Sequence, residues 1–165
     1  MKRIERLETR DFEDNALLNW MKVFSTGKTV KNILSVSLAR YLPLRPKNIV
    51  LRSAGVELGE NVGIGFEATF DIFRPDLISV GDNTTIGYDA TILTHETTRE
   101  EFRVGPVEIG DNVLIGARTT ILPGVKIGDN ARVSAHSLVN RDVEEGEFVG
   151  GVPVEQIQSD REKTE

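Results

Sequence analysis

An aliphatic residue followed directly by glycine recurs along this sequence, in runs spaced six or twelve residues apart. From Ile109 to Val139 the six-residue phase never slips. The pairs are Leu58-Gly59, Ile64-Gly65, Val80-Gly81, Ile86-Gly87, Ile109-Gly110, Ile115-Gly116 and Ile127-Gly128, and the same phase holds Phe70, Ile92, Ile121, Val133 and Val139. The tripeptide Gly-Asp-Asn recurs at 81–83, 110–112 and 128–130. An internal repeat of this kind constrains the fold more strongly than any other feature.

A period of six fits neither a helix nor a simple hairpin sheet. A helix places positions six apart on different faces, and a hairpin sheet shows alternation broken by irregular turns. A short strand and a tight turn together use six residues. Three such units close a triangular coil, which rises by one strand spacing, about 4.8 Å. The aliphatic residue then points inward, glycine fits the corner, and Asp or Asn suits the turn. The sequence therefore predicts an all-β solenoid rather than an Ile- and Gly-rich sandwich.

Two interruptions of the repeat predict segments that leave the coil, because stacked coils tolerate insertions only as loops. The first lies between Phe70 and Val80. The second lies between Ile92 and Ile109 and predicts an excursion loop over 93–108, which is polar and charged and has a histidine near its start. Loops displayed by a rigid scaffold often carry binding and catalysis, so we expect the chemistry at the second interruption.

The sequence before the repeat has helical periodicity instead. Apolar residues over 17–24 and 30–42, separated by Gly27, predict two helices, and Pro43 and Pro46 are expected to end the second. We expect these helices to cover the open first end of the solenoid, which otherwise exposes apolar side chains and strand edges.

The predicted organisation is an N-terminal helical segment at 1–54, a solenoid domain at 55–157 and a disordered tail at 158–165. Contact with a membrane surface is the alternative role for the helical segment. This alternative rests on the basic residues of its second helix, namely Lys28, Lys31 and Arg40.

Composition excludes several classes of function. The 165 residues contain no Cys, which excludes disulfides, thiolate metal sites and cysteine nucleophiles, and they contain only two His, His95 and His136. A net charge of −6 and 6% aromatic residues disfavour nucleic acid as a partner. No apolar run is long enough to span a bilayer, and the charged N-terminus has no apolar signal region. We therefore predict a cytoplasmic protein with no integral membrane segment.

The stretch from Ile109 to Val143, followed by EFVGGVPVEQI, resembles the hexapeptide-repeat acyltransferases, in particular the sugar, serine and xenobiotic O-acetyltransferases. The resemblance covers roughly residues 55–157. It implies a left-handed parallel β-helix, a homotrimer and acetyl-coenzyme A (acetyl-CoA) as co-substrate, with no metal required. The implied reaction moves an acetyl group from acetyl-CoA to a hydroxyl of a sugar or small polar metabolite. ILTH at 92–95, followed by a charged loop, looks like the family's catalytic histidine segment.

By this resemblance His95 is the catalytic residue. Direct transfer from a thioester to a hydroxyl requires removal of the hydroxyl proton as the oxygen attacks. A neutral imidazole can accept that proton and return it to the departing thiolate. No covalent acyl-enzyme is required, and without Cys none is easily formed. Glu96, or another carboxylate of the excursion, is expected to orient the ring.

The resemblance also implies where coenzyme A (CoA) binds. Ala117 and Ala135 match positions whose backbone faces the pantetheine chain. Arg141 matches a basic position near the nucleotide and could meet a phosphate. Gly151 and Pro153 match the closing segment near the adenine.

The acceptor site is expected between His95 and the first interruption of the repeat. Its candidate ligands are carboxylates that could hydrogen-bond a polyol or an amine: Glu67, Asp71, Asp76 and Glu96. His136 lies beside the implied CoA groove, where the family usually has a small residue, and its role stays open.

Two other functions remain as alternatives. A γ-carbonic-anhydrase-like metalloenzyme would use the same fold, but it needs three imidazoles around zinc, and the two His of this chain are more than one coil apart. A non-catalytic trimeric scaffold would keep the coil and lose the chemistry. His95 at the start of the excursion and Gly-Val-Pro at 151–153 disfavour that reading. Transfer to an amine, or of an acyl chain other than acetyl, also stays open.

Overall fold

The computed structural model describes residues 2–157, and the predicted disordered tail at 158–165 lies outside the described residues. The N-terminal part contains one strand as well as helices. In chain order its elements are α1 (Lys2–Glu5), β1 (Glu8–Asp11), a 3-10 helix (Ala16–Asn19), α2 (Trp20–Val23), α3 (Thr26–Tyr41) and α4 (Leu44–Ala54).

The remaining residues form four successive coils of three short strands, with a hairpin between the second and third coils. The first coil contains β2 (Glu57–Leu58), β3 (Gly63–Ile64) and β4 (Thr69–Phe70), and the second contains β5 (Ile78–Val80), β6 (Thr85–Ile86) and β7 (Thr91–Ile92). The hairpin is β8 (His95–Thr97) and β9 (Glu101–Val104). The third coil contains β10 (Val107–Ile109), β11 (Leu114–Ile115) and β12 (Thr120–Ile121), and the fourth contains β13 (Lys126–Ile127), β14 (Arg132–Val133) and β15 (Leu138–Val139). The last strands are β16 (Phe148–Gly150) and β17 (Glu155–Gln156).

The three strands of each coil fall in turn on three parallel sheets, and each strand pairs with its counterpart in the next coil. The first sheet has the order β13-β10-β5-β2, the second β17-β16-β14-β11-β6-β3 and the third β15-β12-β7-β4. Only β17 joins antiparallel. In the third sheet Phe70, Ile92, Ile121 and Val139 lie in register and are buried. The hexad positions thus form the core, as the repeat predicted.

Three columns of turns connect the sheets, and we name each by a characteristic residue. The asparagine corner joins the first and second sheets at 59–62, 81–84, 110–113 and 128–131. The alanine corner joins the second and third sheets at 65–68, 87–90, 116–119 and 134–137, and it continues into 150–153. The histidine corner leads from the third sheet to the next coil at 71–77, 93–106, 122–125 and 140–143.

The asparagine corner explains why Gly-Asp-Asn recurs. Asn83 and Asn112 both adopt a φ of 55°, a left-handed conformation that Asn tolerates better than most residues. The preceding Asp binds the coil below, since Asp111 Oδ1 accepts a hydrogen bond from the backbone N–H of Asp82 at 2.7 Å. The same contact repeats from Asp111 N–H to Asp129 Oδ1 at 2.9 Å. Each Asp therefore ties two coils together.

Asp111→Ala is expected to lower the free energy of unfolding by about 1 kcal/mol, because it removes one hydrogen bond between coils. Glu108→Ala is the matched control, since among the described residues this exposed carboxylate pairs only with Lys126 at 3.3 Å and an exposed ion pair contributes little, less than about 0.5 kcal/mol. Urea denaturation at equal protein concentration measures both. Equal losses in the two variants would contradict the role given to the Asp column.

Helix α4 covers the first end of the coil, a position that the sequence predicted for the two helices before it. Strand N–H groups donate to the next coil, as from Gly59 to Val80 O at 2.8 Å, so the first coil's carbonyls need donors from elsewhere. Side chains of α4 supply them: Asn48 Nδ2 to Val62 O at 2.8 Å, Arg52 to Gly59 O at 2.8 Å, and Lys47 Nζ to Gly65 O. Burial lowers the pKa of Lys47.

The helix boundaries differ from the prediction. The expected helix over 17–24 is a 3-10 turn followed by the short α2, and α3 is followed by a helix that was not expected. Pro43 is the residue before α4, and Pro46 lies in its first turn, where a missing N–H leaves no helical bond unmade. The two prolines therefore begin a helix here. Among residues 2–157, no helix has the length and apolar character needed to cross a membrane.

The excursion is a β-hairpin rather than an irregular loop. Strands β8 and β9 pair antiparallel, and β1 from the N-terminus pairs with β9 to give a three-stranded sheet. Beyond β1, the backbone N–H of Phe12 donates to Glu100 O at 2.7 Å, and that of Ala16 to Arg99 O at 2.9 Å. The N-terminal residues therefore fix the hairpin on the coil.

Candidate active site

His95 and Asp71 meet at the histidine corner. Asp71 directly follows β4 in the first coil, and His95 begins the hairpin that follows β7 in the second coil. Because β4 and β7 pair in register, stacking brings the two side chains together. His95 Nδ1 lies 2.5 Å from Asp71 Oδ2.

The carboxylate of Asp71 is buried and fully hydrogen-bonded. Oδ2 also accepts from the backbone N–H groups of Thr94 at 2.9 Å and His95 at 3.2 Å. Oδ1 accepts from those of Phe73 at 2.7 Å and Arg74 at 3.3 Å. Burial alone would raise the pKa of Asp71, but the hydrogen bond and charge of His95 and the backbone N–H groups outweigh it and lower the pKa. Asp71 is therefore a fixed anion beside the imidazole.

Aromatic side chains hold the His95 ring on two further sides. Phe73 meets it edge-on with ring centroids 4.8 Å apart, and Phe102 stacks on it at 5.5 Å. The side chain of His95 is 21% exposed, and no residue in 2–157 hydrogen-bonds its Nε2. The ring is thus held through Nδ1 and its flanks, and Nε2 remains available to a substrate.

Residues of the N-terminal segment complete this aromatic cluster. Phe24 stacks on Phe73 at 4.8 Å and meets Phe102 edge-on at 5.3 Å, and Trp20 contacts Phe73 at 5.7 Å. The helical periodicity over 17–24 predicted only that Trp20 and Phe24 belong to a helix covering the solenoid end. No local signal in the sequence pairs them with Phe73, about fifty residues away, or pairs Phe24 with Phe102 of the hairpin.

The prediction that Glu96 orients the ring is wrong, because Asp71 occupies that position. Glu96 binds Arg3 at 2.9 Å and Arg103 at 3.2 Å instead. Arg3 also donates to Pro123 O at 2.8 Å. These bonds connect α1 to the hairpin. They also leave the carboxylate of Glu96 occupied by two arginines.

The structure separates the other candidate acceptor ligands. Asp71 cannot bind an acceptor, because its side chain is fully buried and its oxygens are occupied. Asp76 is exposed and forms a bidentate pair with Arg74 at 2.9 and 3.1 Å. Glu67 lies at the alanine corner and accepts from Tyr88 Oη at 2.7 Å, a bond that raises the pKa of Tyr88. The four carboxylates therefore do not form one cluster.

The predicted CoA residues Ala117, Ala135 and Gly151 lie in one column at the alanine corner, and Pro153 follows at its end. The backbone N–H groups of Ala117 and Ala135 have no acceptor among the described residues. Small side chains leave these N–H groups reachable, so the column can donate to the amide oxygens of an extended ligand.

Arg141 and His136 lie at different corners. Arg141 is at the histidine corner, two coils after His95, and binds Glu147 at 2.8 and 3.2 Å. That hydrogen bond raises the pKa of Arg141 and lowers the pKa of Glu147. His136 is an exposed turn residue of the alanine corner with a φ of 58°. Among residues 2–157, neither side chain forms a hydrogen bond with Asp71 or His95.

The coils are built on six-residue repeats, which places this chain in the class of hexapeptide-repeat proteins. A family described as bacterial transferase hexapeptide (six repeats) matches residues 106–141. "Putative acetyltransferase YvoF" of Bacillus subtilis (strain 168) is 49% identical over 140 residues, which are 84% of this chain and 81% of that protein. The chain belongs to the hexapeptide-repeat acetyltransferase family, as its sequence indicated.

Solved structures share the fold at lower identity. A maltose O-acetyltransferase from Clostridium difficile 630 has a TM-score of 0.65 and 20% identity, over 96% of both chains. A galactoside acetyltransferase in complex with coenzyme A has a TM-score of 0.61 and 23% identity, over 83% of this chain and 84% of that chain. The similarity extends beyond the repeat to most of the N-terminal segment.

Proposed function

We propose that the protein transfers an acetyl group from acetyl-CoA to a hydroxyl group of a sugar or small polar metabolite, with His95 as general base. The observation that carries this proposal is the buried Asp71 carboxylate bound to His95 Nδ1 at 2.5 Å. It fixes the tautomer with the proton on Nδ1, so Nε2 has a free lone pair for a substrate proton.

In this mechanism the acceptor hydroxyl gives its proton to Nε2 as its oxygen attacks the thioester carbonyl. The tetrahedral intermediate then breaks its carbon–sulfur bond, and the thiolate of CoA takes the proton back from the imidazolium. Asp71 stays ionised throughout, because its lowered pKa keeps it a carboxylate, and its charge stabilises the imidazolium. The products are the acetyl ester and free CoA, and His95 ends in its starting state.

We place the pantetheine of acetyl-CoA along the alanine corner. The N–H groups of Ala117 and Ala135 suit its amide oxygens, and Gly151 and Pro153 would lie near the adenine, as the family resemblance implies. His136 adjoins this path, and its exposed ring limits how closely the ligand passes. The proposed compartment is the cytoplasm.

The site requires a second copy of the chain. His95 and Arg141 share the histidine corner two coils apart, a rise of about 10 Å, whereas Ala117 and Ala135 line the alanine corner across the third sheet. We propose left-handed coils in a homotrimer, where the histidine corner of one subunit faces the alanine corner of the next. His95 and a phosphate contact from Arg141 would then come from one subunit, and the pantetheine donors from its neighbour.

The outward residues of the third sheet support this trimer. In its strands these residues are uncharged, namely Thr69, Thr91, Thr120 and Leu138. The equivalent residues of the first sheet are Glu57, Ser79, Glu108 and Lys126. The second sheet has one outward charge in the strands of the four coils, Arg132. Charged groups are costly to bury, so the third sheet suits the trimer axis better than the other two.

Size-exclusion chromatography with light scattering is expected to give about three times the chain mass of 18.3 kDa. An active protein that runs cleanly at one chain mass would contradict the shared site.

The acceptor is proposed to bind beside His95, with Glu67 as its carboxylate ligand from the neighbouring subunit. Glu67 and its partner Tyr88 lie at the alanine corner in the first and second coils, at the level of Asp71 and His95. Asp76 and Glu96 are held by arginines and are weaker candidates for this role.

A panel of sugars, serine, aminoglycosides and chloramphenicol, read by free thiol release, tests the function. Acceptor-dependent release that requires His95 supports acetyl transfer, and amine-bearing members of the panel separate N- from O-transfer. If no acceptor raises thiol release and calorimetry detects no CoA binding, the proposed reaction fails and a binding scaffold replaces it.

A further inference from the structure

The hydrogen bond to Asp71 does not by itself fix the orientation of the His95 imidazole. It holds Nδ1, but the χ2 torsion of histidine has broad minima, so the ring can rock about that contact and turn Nε2 away from a substrate. Two phenylalanines limit this motion. Phe73 meets the imidazole at an interplanar angle of 90°, and Phe102 lies at 19° to it. The direction of Nε2 therefore depends on where these two rings are held.

The two phenylalanines belong to separate segments of the chain. Phe73 lies in the turn between β4 and the 3-10 helix Pro75–Leu77, in the first interruption of the repeat. Phe102 lies on β9 of the hairpin, in the second interruption. Their rings meet edge-on with centroids 5.9 Å apart, so a shift of either ring changes the space that the imidazole occupies. A third side chain that contacts both rings would hold them in one arrangement.

Phe24, the residue after α2, has this arrangement. Its ring stacks on Phe73 at 16° and meets Phe102 edge-on at 72°. Its backbone is fixed as well, because its N–H donates to Trp20 O at 2.9 Å. Among the described residues, the Phe24 ring makes no aromatic contact with His95, and Trp20 contacts Phe73 but not Phe102. Phe24 therefore reaches the imidazole only through the two rings that flank it.

We propose that Phe24 is a positioning residue for His95: it holds Phe73 and Phe102 together, and through them it keeps Nε2 directed at the acceptor hydroxyl. The proposal rests on the proposed role of His95 as general base. A misdirected base lowers rate rather than affinity, because small displacements of reacting groups reduce turnover steeply. The N-terminal segment thereby acts on the reaction through the two phenylalanines that it packs against.

Phe24→Ala is expected to lower kcat about tenfold and to leave the KM for acetyl-CoA unchanged, because the alanine corner is untouched. Phe24→Leu should recover most of kcat, since leucine fills much of the same space against both rings. Phe12→Ala is the matched control and should leave kcat unchanged. Phe12 lies in the same N-terminal segment but outside the aromatic cluster, and alanine keeps its backbone bond to Glu100 O. Thiol release at saturating acceptor measures kcat.

Proton NMR of the full chain tests the position of the imidazole without turnover. The chain has only two histidines, so the C–H signals of the His95 ring are assigned by their loss in His95→Ala, and those of His136 serve as internal reference. Because Phe102 stacks on His95, its ring current shifts these His95 signals upfield. In Phe24→Ala, at the same alkaline pH, they should move downfield towards the positions of free histidine, whereas the His136 signals stay.

Unchanged His95 signals in Phe24→Ala would overturn the proposal, as would an equal loss of kcat in Phe12→Ala. If Phe24→Ala is poorly folded, Phe24→Val takes its place, because it keeps part of the packing and should show the same changes to a smaller degree. Failure of the proposed function looks different: His95→Ala would then keep the wild-type kcat. The NMR signals would still decide whether Phe24 holds the ring of His95.

Discussion

His95→Ala is expected to lower kcat by about a hundredfold or more, the scale usual for a positioned general base. The imidazole is the group that Asp71 and the two flanking phenylalanines hold in place, and Ala offers no proton acceptor there. Affinity for CoA should survive, because the proposed pantetheine contacts are backbone N–H groups at a different corner. Thiol release at saturating acceptor measures kcat, and calorimetry measures CoA binding.

His136→Ala is the matched control for this experiment. His136 is the other histidine of the chain, but it is an exposed turn residue without a carboxylate partner among the described residues. We expect a much smaller effect on kcat. The reverse order of effects would show that His136, and not His95, removes the acceptor proton.

The repeat predicted the coil well because its information is local. Between Ile109 and Val139 each six-residue step supplied one inward residue and one turn, and the strands of the third and fourth coils begin where this phase places them. The two interruptions were also located correctly. The hairpin inside the second interruption was not predicted, and neither was the pairing of its strand β9 with β1. β1 is a polar strand that lies some ninety residues before β9. Pairing at that distance leaves no periodic pattern in ETRD, the sequence of β1.

The candidate site was predicted only in part, for the same reason. His95 was predicted from the resemblance of ILTH at 92–95 to the family's catalytic histidine segment, together with its position at the start of the excursion. Asp71 was predicted to be an acceptor ligand, although the six-residue phase places it beside the residues that precede His95. Asp71 follows Phe70 as Leu93 follows Ile92, so stacking of equivalent positions places Asp71 next to the residues that lead into His95. Phase alone could not predict the contribution of Trp20 and Phe24.

Asp71→Asn should lower kcat by about a thousandfold, on the scale seen when the partner of a catalytic histidine loses its charge. If the amide oxygen keeps the bonds from Phe73 and Arg74, the amide NH2 replaces Oδ2. It then faces the N–H of Thr94 and donates to His95 Nδ1. That bond favours the tautomer with the proton on Nε2, which cannot accept a proton from the acceptor.

The pH dependence of Tm in the same variant distinguishes loss of the Asp71 charge beside His95 from general unfolding. Since the pKa of Asp71 is lowered in the folded protein, its contribution to stability is complete above the unfolded pKa, near about 4. It is lost as pH falls through the lower, folded value. The Tm of the wild type should therefore fall more steeply than that of Asp71→Asn below about pH 4.

At neutral pH the Asp71→Asn variant should be less stable by about 1–3 kcal/mol, the cost of mismatched buried donors. It should still bind CoA, because the alanine corner is untouched. A folded variant that binds CoA and turns over at the wild-type rate would show that the carboxylate serves packing alone. A loss of kcat with CoA binding retained, together with a flatter acid limb of the Tm profile, would establish that the Asp71 charge sets the proton position on His95.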